Sequence, residues 1–329
     1  MKPVLQIGVI IPTWNRAALL AAALHDLAAQ THPIARIVVV DNGSSDDSAE
    51  LAAKMGAFVV RLRRNEGFAY AVNRGIEECR TDWVLILNND VRFGPEWLAA
   101  LAAGRTANDW FATGKLLMQN EPETLDGTFD AISRGGTAWR CGHGRPDGPL
   151  WNAPRKIQFA PLTAALFRRE LFNHVGLLDE RLESYLEDLD LGLRCAAAGL
   201  TGIYVPAAVA THQGSATLGA WHKATVRLMA RNQTLLIRKH FKGAPLWPIL
   251  VAHVLWGAVA MRRNTGWQWF RGKLDGFAAS IRSEDAGWPA IRDAVVASEA
   301  DLARLQRTTG PDLYWRLYFA LVRTETCLT

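Results

Sequence analysis

The chain has 329 residues, 49% of them hydrophobic and 21% charged. That is length for one large α/β domain or two modest ones, and it excludes disorder over most of the chain. The net charge is a mild +5, but no Asp or Glu occurs from Leu191 to Leu274, where eleven Lys or Arg do, so an anionic partner is expected. Cys79, Cys141, Cys195 and Cys327 form no CxxC, which argues against a disulfide scaffold or zinc ribbon and suits a reducing cytoplasm. The opening MKPVLQIGVII lacks the long apolar run and cleavage site of a signal peptide, which disfavours secretion.

The first ninety residues alternate strand and helix signals. Val4 to Ile11 reads as a buried strand, and Ala17 to Gln30 as a helix with Leu19, Leu20, Leu24 and Leu27 to one side. Ile37 to Val40 is a short β-branched run ending at Asp41. Ser44 or Ser45 is the expected cap of the next helix, with Asp46 and Asp47 in its first turn. Ala57 to Leu62 is a strand, Glu66 to Cys79 a helix, and Val84 to Leu87 a strand running into Asn88-Asn89-Asp90. This order predicts an α/β fold: a Rossmann-like, mostly parallel sheet flanked by helices. In such sheets ligands bind beyond the carboxyl ends of the strands. The polar clusters lie there: Pro12-Thr13-Trp14-Asn15-Arg16, Asp41-Asn42-Gly43-Ser44 and Asn88-Asn89-Asp90. A dinucleotide site needs G-x-G-x-x-G after the first strand, and IIPTWNR stands there instead.

Residues 105 to 160 are rich in Gly, Pro and Asn and predict an extended loop or small irregular sheet. Phe159 to Phe167 returns to the sheet. Glu187 to Ala198 reads as a helix with Glu187, Asp188 and Asp190 in its first turn and Gly199 at its stop. A short strand, Gly202 to Pro206, precedes His212. Beyond about 216 the pattern is helical: a basic helix from His222 to Phe241, an apolar one from Leu246 to Met261, and a last one from Trp288 to Arg323. The expected domains are therefore 1–215, in two halves (1–100 and 101–215), and a helical region, 216–329.

Seven segments in order carry a resemblance: IIPTWNR (10–16), VVVDNGSSDDS (38–48), RNEGFAYAVNRGIE (64–77), VLILNNDV (84–91), GLLDERLESYLEDLDLGLRCAAAGL (176–200), VPAAVATH (205–212) and RN (231–232). Together they resemble the family 2 glycosyltransferases of GT-A fold, most of all the bacterial rhamnosyltransferase-like subgroup. The resemblance implies an inverting transfer of a sugar, rhamnose in that subgroup, from a nucleoside diphosphate donor (dTDP, UDP or GDP) to a hydroxyl of a glycan or polyprenyl-linked acceptor in cell-surface polysaccharide synthesis. It implies a donor site from Pro12, Thr13, Asn15, Arg16, Asp41, Asn65, Gly67, Asn73, Asn88, Asn89, Asp90 and Arg231, with Asp41 accepting from the base. Asn88-Asn89-Asp90 stands where the family carries its DxD motif. The metal ligands implied are Asp90, His212 and Asn88, for Mg²⁺ or Mn²⁺; Asn88 replaces a carboxylate, leaving fewer anionic ligands. Asp188, second of the Glu187-Asp188 pair, falls at the position of the catalytic base, with Glu187 and Trp139 on the acceptor side; the resemblance makes 1–100 the nucleotide-binding half and 101–215 the acceptor-side half.

Plainer readings stand beside these. Asp41-Asn42-Gly43 is ordinary turn chemistry, Thr13 suits a helix cap, and acids in a first helical turn are favoured by the macrodipole. Two other functions stay open: a nucleotidyltransferase of related fold, which would need a basic Gly-rich loop that IIPTWNR is not, and a non-catalytic protein binding nucleic acid or membrane. Trp247, Trp256, Trp267 and Trp269 beside Arg262, Arg263, Arg271 and Lys273 favour an anionic membrane surface over nucleic acid. That places the protein in the cytoplasm, peripheral on the inner face of the membrane. Residues 244–261 are read as interfacial, with a buried or homodimer-interface helix and a true span as alternatives.

Overall fold

A computed structural model describes residues 5–214, 221–280 and 287–322; Arg323 and Cys327 lie outside them. The chain forms two units, Met1–Phe129 with Gly142–Gly214, and Asp130–Cys141 with Ser215–Thr329.

The first unit begins β1 (Ile7–Thr13), α1 (Ala17–Ala28), β2 (Ile34–Asp41), α2 (Ser48–Lys54), β3 (Phe58–Arg61), α3 (Phe68–Glu78) and β4 (Trp83–Leu87). The second helix starts later than the serines predict. Ser44 and Ser45 are drawn away by Asn15: its N–H donates to Ser44 Oγ at 2.7 Å, and its Oδ1 accepts from Ser45 N at 2.9 Å. Next come β5 (Val91–Phe93), α4 (Trp97–Gly104), β6 (Phe111–Met118) and β7 (Glu121–Gly127). β8 (Asp130–Ile132) and β9 (Ala138–Arg140) belong to the other unit. β10 (Arg155–Ile157), β11 (Ala164–Arg168), α5 (Leu171–Val175), α6 (Glu187–Ala197) and β12 (Gly202–His212) complete the first. β12 runs six residues past the expected stop at Pro206, and that extension carries His212 into the sheet.

The sheet order is β10-β12-β6-β11-β4-β1-β2-β3, with β5 beside β12 and β7 beside β6. β1 to β4 run parallel; β11 lies antiparallel between β4 and β6, and β12 is parallel to β6. The carboxyl ends of β1, β2, β4, β6 and β12 therefore share one edge. β4 is buried along its whole length, as a central strand covered on both faces must be. Helices pack on this core through Leu20, Leu24, Leu27, Leu98 and Leu101.

The second unit holds α7 (Lys223–His240), α8 (Leu246–Arg262), α9 (Gly266–Ala278), α10 (Gly287–Thr309) and α11 (Leu313–Leu321). The single last helix expected from the sequence is two, because Gly310 adopts φ +86° and Pro311 follows it. The β8–β9 ribbon falls, by sequence, in the acceptor-side half. It packs instead with these helices: Ser298 Oγ accepts from Ile132 N, and Glu299 binds both the Arg134 side chain and its backbone N–H. No helix among the described residues is long and apolar enough to cross a membrane.

Candidate active site

Three loops follow the ends of β1, β2 and β3 and are bound to each other. Asn42 N donates to Thr13 O at 2.8 Å, joining the first two. The Asn42 side chain donates to Asn65 Oδ1 and Gly67 O, both at 3.0 Å, and accepts from Glu66 N at 2.9 Å. Asp41 is buried, with Oδ1 accepting from Ser44 N at 3.1 Å. Thr13 is buried too; its hydroxyl donates to Asn15 O and accepts from Asn89 Nδ2. Thr13 and Asn89 thus brace the loops. Thr13 does not cap α1. The residue before that helix is Arg16, at φ +67°, and Ala17 N is answered by Asp46 Oδ2 at 3.0 Å. Pro12 is half-buried and Arg16 exposed at the same strand end.

At the other side of the edge, Asp90 stands in the turn between β4 and β5, and β5 pairs with β12 so that Val91 faces His212. His212 Nε2 lies 3.3 Å from Asp90 Oδ1. His212 Nδ1 hydrogen-bonds Asp126 Oδ2 at 2.9 Å. All three side chains are largely buried. Burial works against an imidazolium, but the bond to Asp126 and the proximity of Asp90 outweigh it and push His212 up to about 9. Asp90 Oδ1 is buried and makes no hydrogen bond. No group of three or more His, Cys, Asp or Glu is arranged to hold a metal among the described residues. Two of them still fit a divalent ion: a carboxylate oxygen without a hydrogen bond beside an imidazole nitrogen whose other nitrogen is fixed by a second carboxylate, a common support for a metal-binding His. Asn88 adjoins them at the end of β4, its backbone N donating to Thr163 O at 2.8 Å.

The Glu187-Asp188 pair opens α6. The three residues Glu183, Tyr185 and Leu186 just before it all have positive φ, at 59°, 71° and 70°. Asn15 and Arg16 share this conformation, and Asn264 is the one other described non-glycine residue that does. Such strain persists only where surrounding contacts hold it. Here the start of α3 holds it: Ala69 N donates to Glu183 O at 2.8 Å and Phe68 N to Ser184 Oγ at 3.2 Å. Gly67, at φ +93°, has no side chain because a Cβ would lie 2.9 Å from the Cα and carbonyl oxygen of Glu183. Gly67 thus permits a close backbone approach, and the backbone it meets is the protein's own. Asn73 is 2% exposed, with its amide committed to Leu178 and Glu180. It positions the loop before α6, which corrects its expected contact with the nucleotide. Within α6, Asp190 is tied to Arg194 at 2.9 Å. Asp188 is half-buried, with Oδ1 accepting from Leu189 N at 2.8 Å, and Glu187 is buried.

Two expected residues fall in the second unit. Trp139 sits in β9 opposite Ala131 and is 8% exposed. Packed in that ribbon, its ring has no open face for a sugar, so the expected stacking platform is withdrawn. Arg231 lies in α7, with Nη1 donating to Asn232 Oδ1. Sequence reasoning misses Asp126. It sits in EPETLDG, a strand without apolar alternation, and only the β6–β7 pairing brings it beside His212.

A family model described as Glycosyl transferase family 2 matches residues 8–176. The N-acetylglucosaminyl-diphospho-decaprenol L-rhamnosyltransferase of Mycobacterium tuberculosis is 28% identical over 282 residues, 78% of this chain and 91% of that protein. A PGL/p-HBAD biosynthesis glycosyltransferase of Mycobacterium bovis is 26% identical over 272 residues, 79% of this chain and 96% of that one. Among solved structures, GalNAc-T7 with UDP, GalNAc and Mn²⁺ matches with a TM-score of 0.61 at 14% identity, covering 98% of this chain but 57% of its own. The mannosyltransferase PcManGT from Pyrobaculum calidifontis, with GDP-Man and Mn²⁺, matches at 0.53 and 19%, covering 97% and 87%. At these identities the structural likeness is one of fold, the GT-A fold. With more than half its length matched by the family model, the chain belongs to glycosyl transferase family 2 and is a glycosyltransferase.

Proposed function

We propose that this glycosyltransferase is inverting and divalent-metal-dependent. It moves rhamnose from a nucleoside diphosphate sugar to a hydroxyl of a polyprenyl-linked glycan acceptor, at the inner face of the cytoplasmic membrane, in cell-surface polysaccharide synthesis. The observation that carries the reading is the pairing of Asp90 with His212, the latter held by Asp126, at the strand edge that also bears Asp41. The name of the Mycobacterium tuberculosis relative supports the sugar and the lipid-linked acceptor.

The loops at 12–16, 41–45 and 65–67 hold the nucleotide, with Asp41 accepting from the base. Asp90 and His212 are the protein ligands for Mg²⁺ or Mn²⁺, with Asn88 adjoining. When bound, the ion neutralises charge on the departing diphosphate. Asp188 takes the proton of the acceptor hydroxyl as its oxygen bonds to the anomeric carbon. The bond from that carbon to the diphosphate breaks, the leaving group keeps the electron pair, and the configuration inverts. The strained turn at 183–186 presents Asp188 at the start of α6, and Asp190 is excluded as base by its pair with Arg194.

The test is a donor panel of UDP-, dTDP- and GDP-sugars, with Mg²⁺, Mn²⁺ or chelator, read by thermal shift and slow nucleotide release. One donor, dTDP-rhamnose among them, should stabilise the protein only when the cation is present. Binding equally strong in chelator overturns the metal assignment. Stabilisation by none of the donors overturns the donor site.

A further inference from the structure

α8 and α9 carry their side chains the wrong way round for helices facing water. The buried positions of α8 include Ala252, Gly257 and Ala260, while Leu246, Trp247, Leu250, Val254 and Met261 are exposed. α9 buries Gly272 and Gly276 against α7: a Cβ on Gly272 would lie 2.2 Å from Arg227 O, and one on Gly276 2.7 Å from Arg231 O. Its outer face carries Trp267, Phe270, Leu274 and Phe277, at spacings of three, four and three that keep them in one stripe. Trp267 is 63% exposed and Phe277 66%. α11 buries Trp315 and Tyr318 and exposes Leu313, Leu317 and Leu321 at four-residue spacing.

The three faces connect. Trp247 Nε1 donates to Leu321 O at 3.0 Å, joining the start of α8 to the end of α11. A short turn joins α8 to α9, with Thr265 N and Oγ1 bonded to Ala260 O, and Trp269 packs on Gly257. Large apolar side chains placed outward on three linked helices mark a surface that meets something other than water.

Charge identifies the occupant. Arg262, Arg263, Arg271 and Arg316 are exposed on or beside these helices. The described acids on or beside them are Asp275, ion-paired with Arg227 at 2.6 Å, and Asp312 at the start of α11, hydrogen-bonded by the Gln306 side chain. On this face a second copy would bring the same four cations against two acids, both already engaged within the chain. An anionic bilayer offers hydrocarbon to the large side chains, headgroup level to the indoles and phosphate to the arginines. We infer that α8, α9 and α11 form a membrane-docking face that lies on an anionic lipid surface without spanning it. The inference deepens the membrane partner proposed above and rests on that reading.

The test is co-sedimentation of the full chain with vesicles of phosphatidylcholine alone or with added phosphatidylglycerol, at low and high salt. The wild type should bind the anionic vesicles at least about tenfold more tightly and release them in high salt. Arg262→Glu with Arg263→Glu should weaken that binding by about fivefold or more per reversed charge. Leu274→Gln with Phe277→Gln should weaken binding to both vesicle types, while circular dichroism and hydrolysis of a soluble nucleotide sugar stay unchanged. Equal binding to neutral and anionic vesicles overturns the inference. So does absence of vesicle binding, whether the chain is a monomer or a dimer that Leu274→Gln with Phe277→Gln dissociates. Loss of donor binding in the panel above, with vesicle binding intact, counts against the transferase mechanism and not against this face.

Discussion

The two units solve opposite problems with the same residue types. In the first, large apolar side chains fill both faces of the sheet, and polar groups gather where strands end. In α8 and α9, the buried positions are mostly glycine and alanine, and Leu, Trp and Phe face outward. Burial is the driving force in both. The first unit buries most of its large apolar side chains, whereas α8, α9 and α11 leave many of theirs exposed. The units also bury charge differently. The first sets buried charges against opposite ones, as in Asp26–Arg92, Lys115–Asp147 and Asp190–Arg194. The second does the same with Glu299 and Arg134 but encloses Lys273 against neutral groups, with Nζ 3.0 Å from Gln233 Oε1 and 2.6 Å from His253 Nδ1.

The sharpest way to break the first half of this comparison is Asp188→Asn. If the polar residues at the strand ends and at the start of α6 carry the chemistry, this change should lower transfer by about 10²–10⁴-fold, with donor-induced thermal stabilisation retained. An active Asp188→Asn would move the base elsewhere. A smaller effect is expected at Asp126. Asp126→Ala should weaken Mn²⁺ binding, measured by titration calorimetry, by about 10–100-fold, because His212 loses the partner that orients its ring. Asp126→Asn keeps an acceptor oxygen and should recover part of that loss. Unchanged Mn²⁺ affinity in both variants would reduce Asp126 to a packing role. Gly67→Ala tests the strained turn. Its Cβ meets the Glu183 backbone and its φ suits glycine, so a loss of about 1–3 kcal/mol is expected, read as a lower denaturant midpoint. A stable Gly67→Ala protein would mean that the 183–186 turn relaxes freely.

Much of the first unit is legible because a parallel sheet writes its pattern locally. Runs such as Val84 to Leu87 and the helix with Leu20, Leu24 and Leu27 give the alternation, and the strand-end rule locates Asp41, Asp90 and the loop after β1. What escapes depends on distant pairings or on conformations that a residue type does not advertise. Asp126 reaches His212 only through the β6–β7 hairpin. Tyr185 and Leu186 rarely adopt positive φ, so nothing in ESYLED announces the turn. Ser44 and Ser45 resemble caps, and only the fold reveals that Asn15 competes for them. The break at Gly310-Pro311 is in plain view, but apolar residues on both sides read as one helix. In the second unit the four tryptophans signal an interface, while α9 as a separate helix goes unseen, since its glycines weaken the helical signal that its aromatic stripe supplies.

The last prediction concerns Lys273, where the second unit departs most from the first. Burial pushes its amine down to about 7, and nothing acidic offsets that cost. His253 beside it is held neutral, pushed down to about 3 by its own burial and by the lysine. It does not titrate near neutrality. In the unfolded chain the lysine titrates near 10.5. Between these values the unfolded state holds a proton that the folded state has released, so stability rises with pH across this window, by at most about 1.4 kcal/mol per pH unit. Below the folded value both states are protonated, and the full penalty of a buried ammonium applies. Lys273→Met removes the group while keeping a long apolar side chain between Gln233 and Trp269. The difference in melting temperature, variant minus wild type, should be largest near pH 6 and shrink towards pH 10. Parallel profiles for the two proteins would mean that Lys273 stays charged in the folded state. The second unit would then have a charge partner for it, and the contrast with the first would disappear.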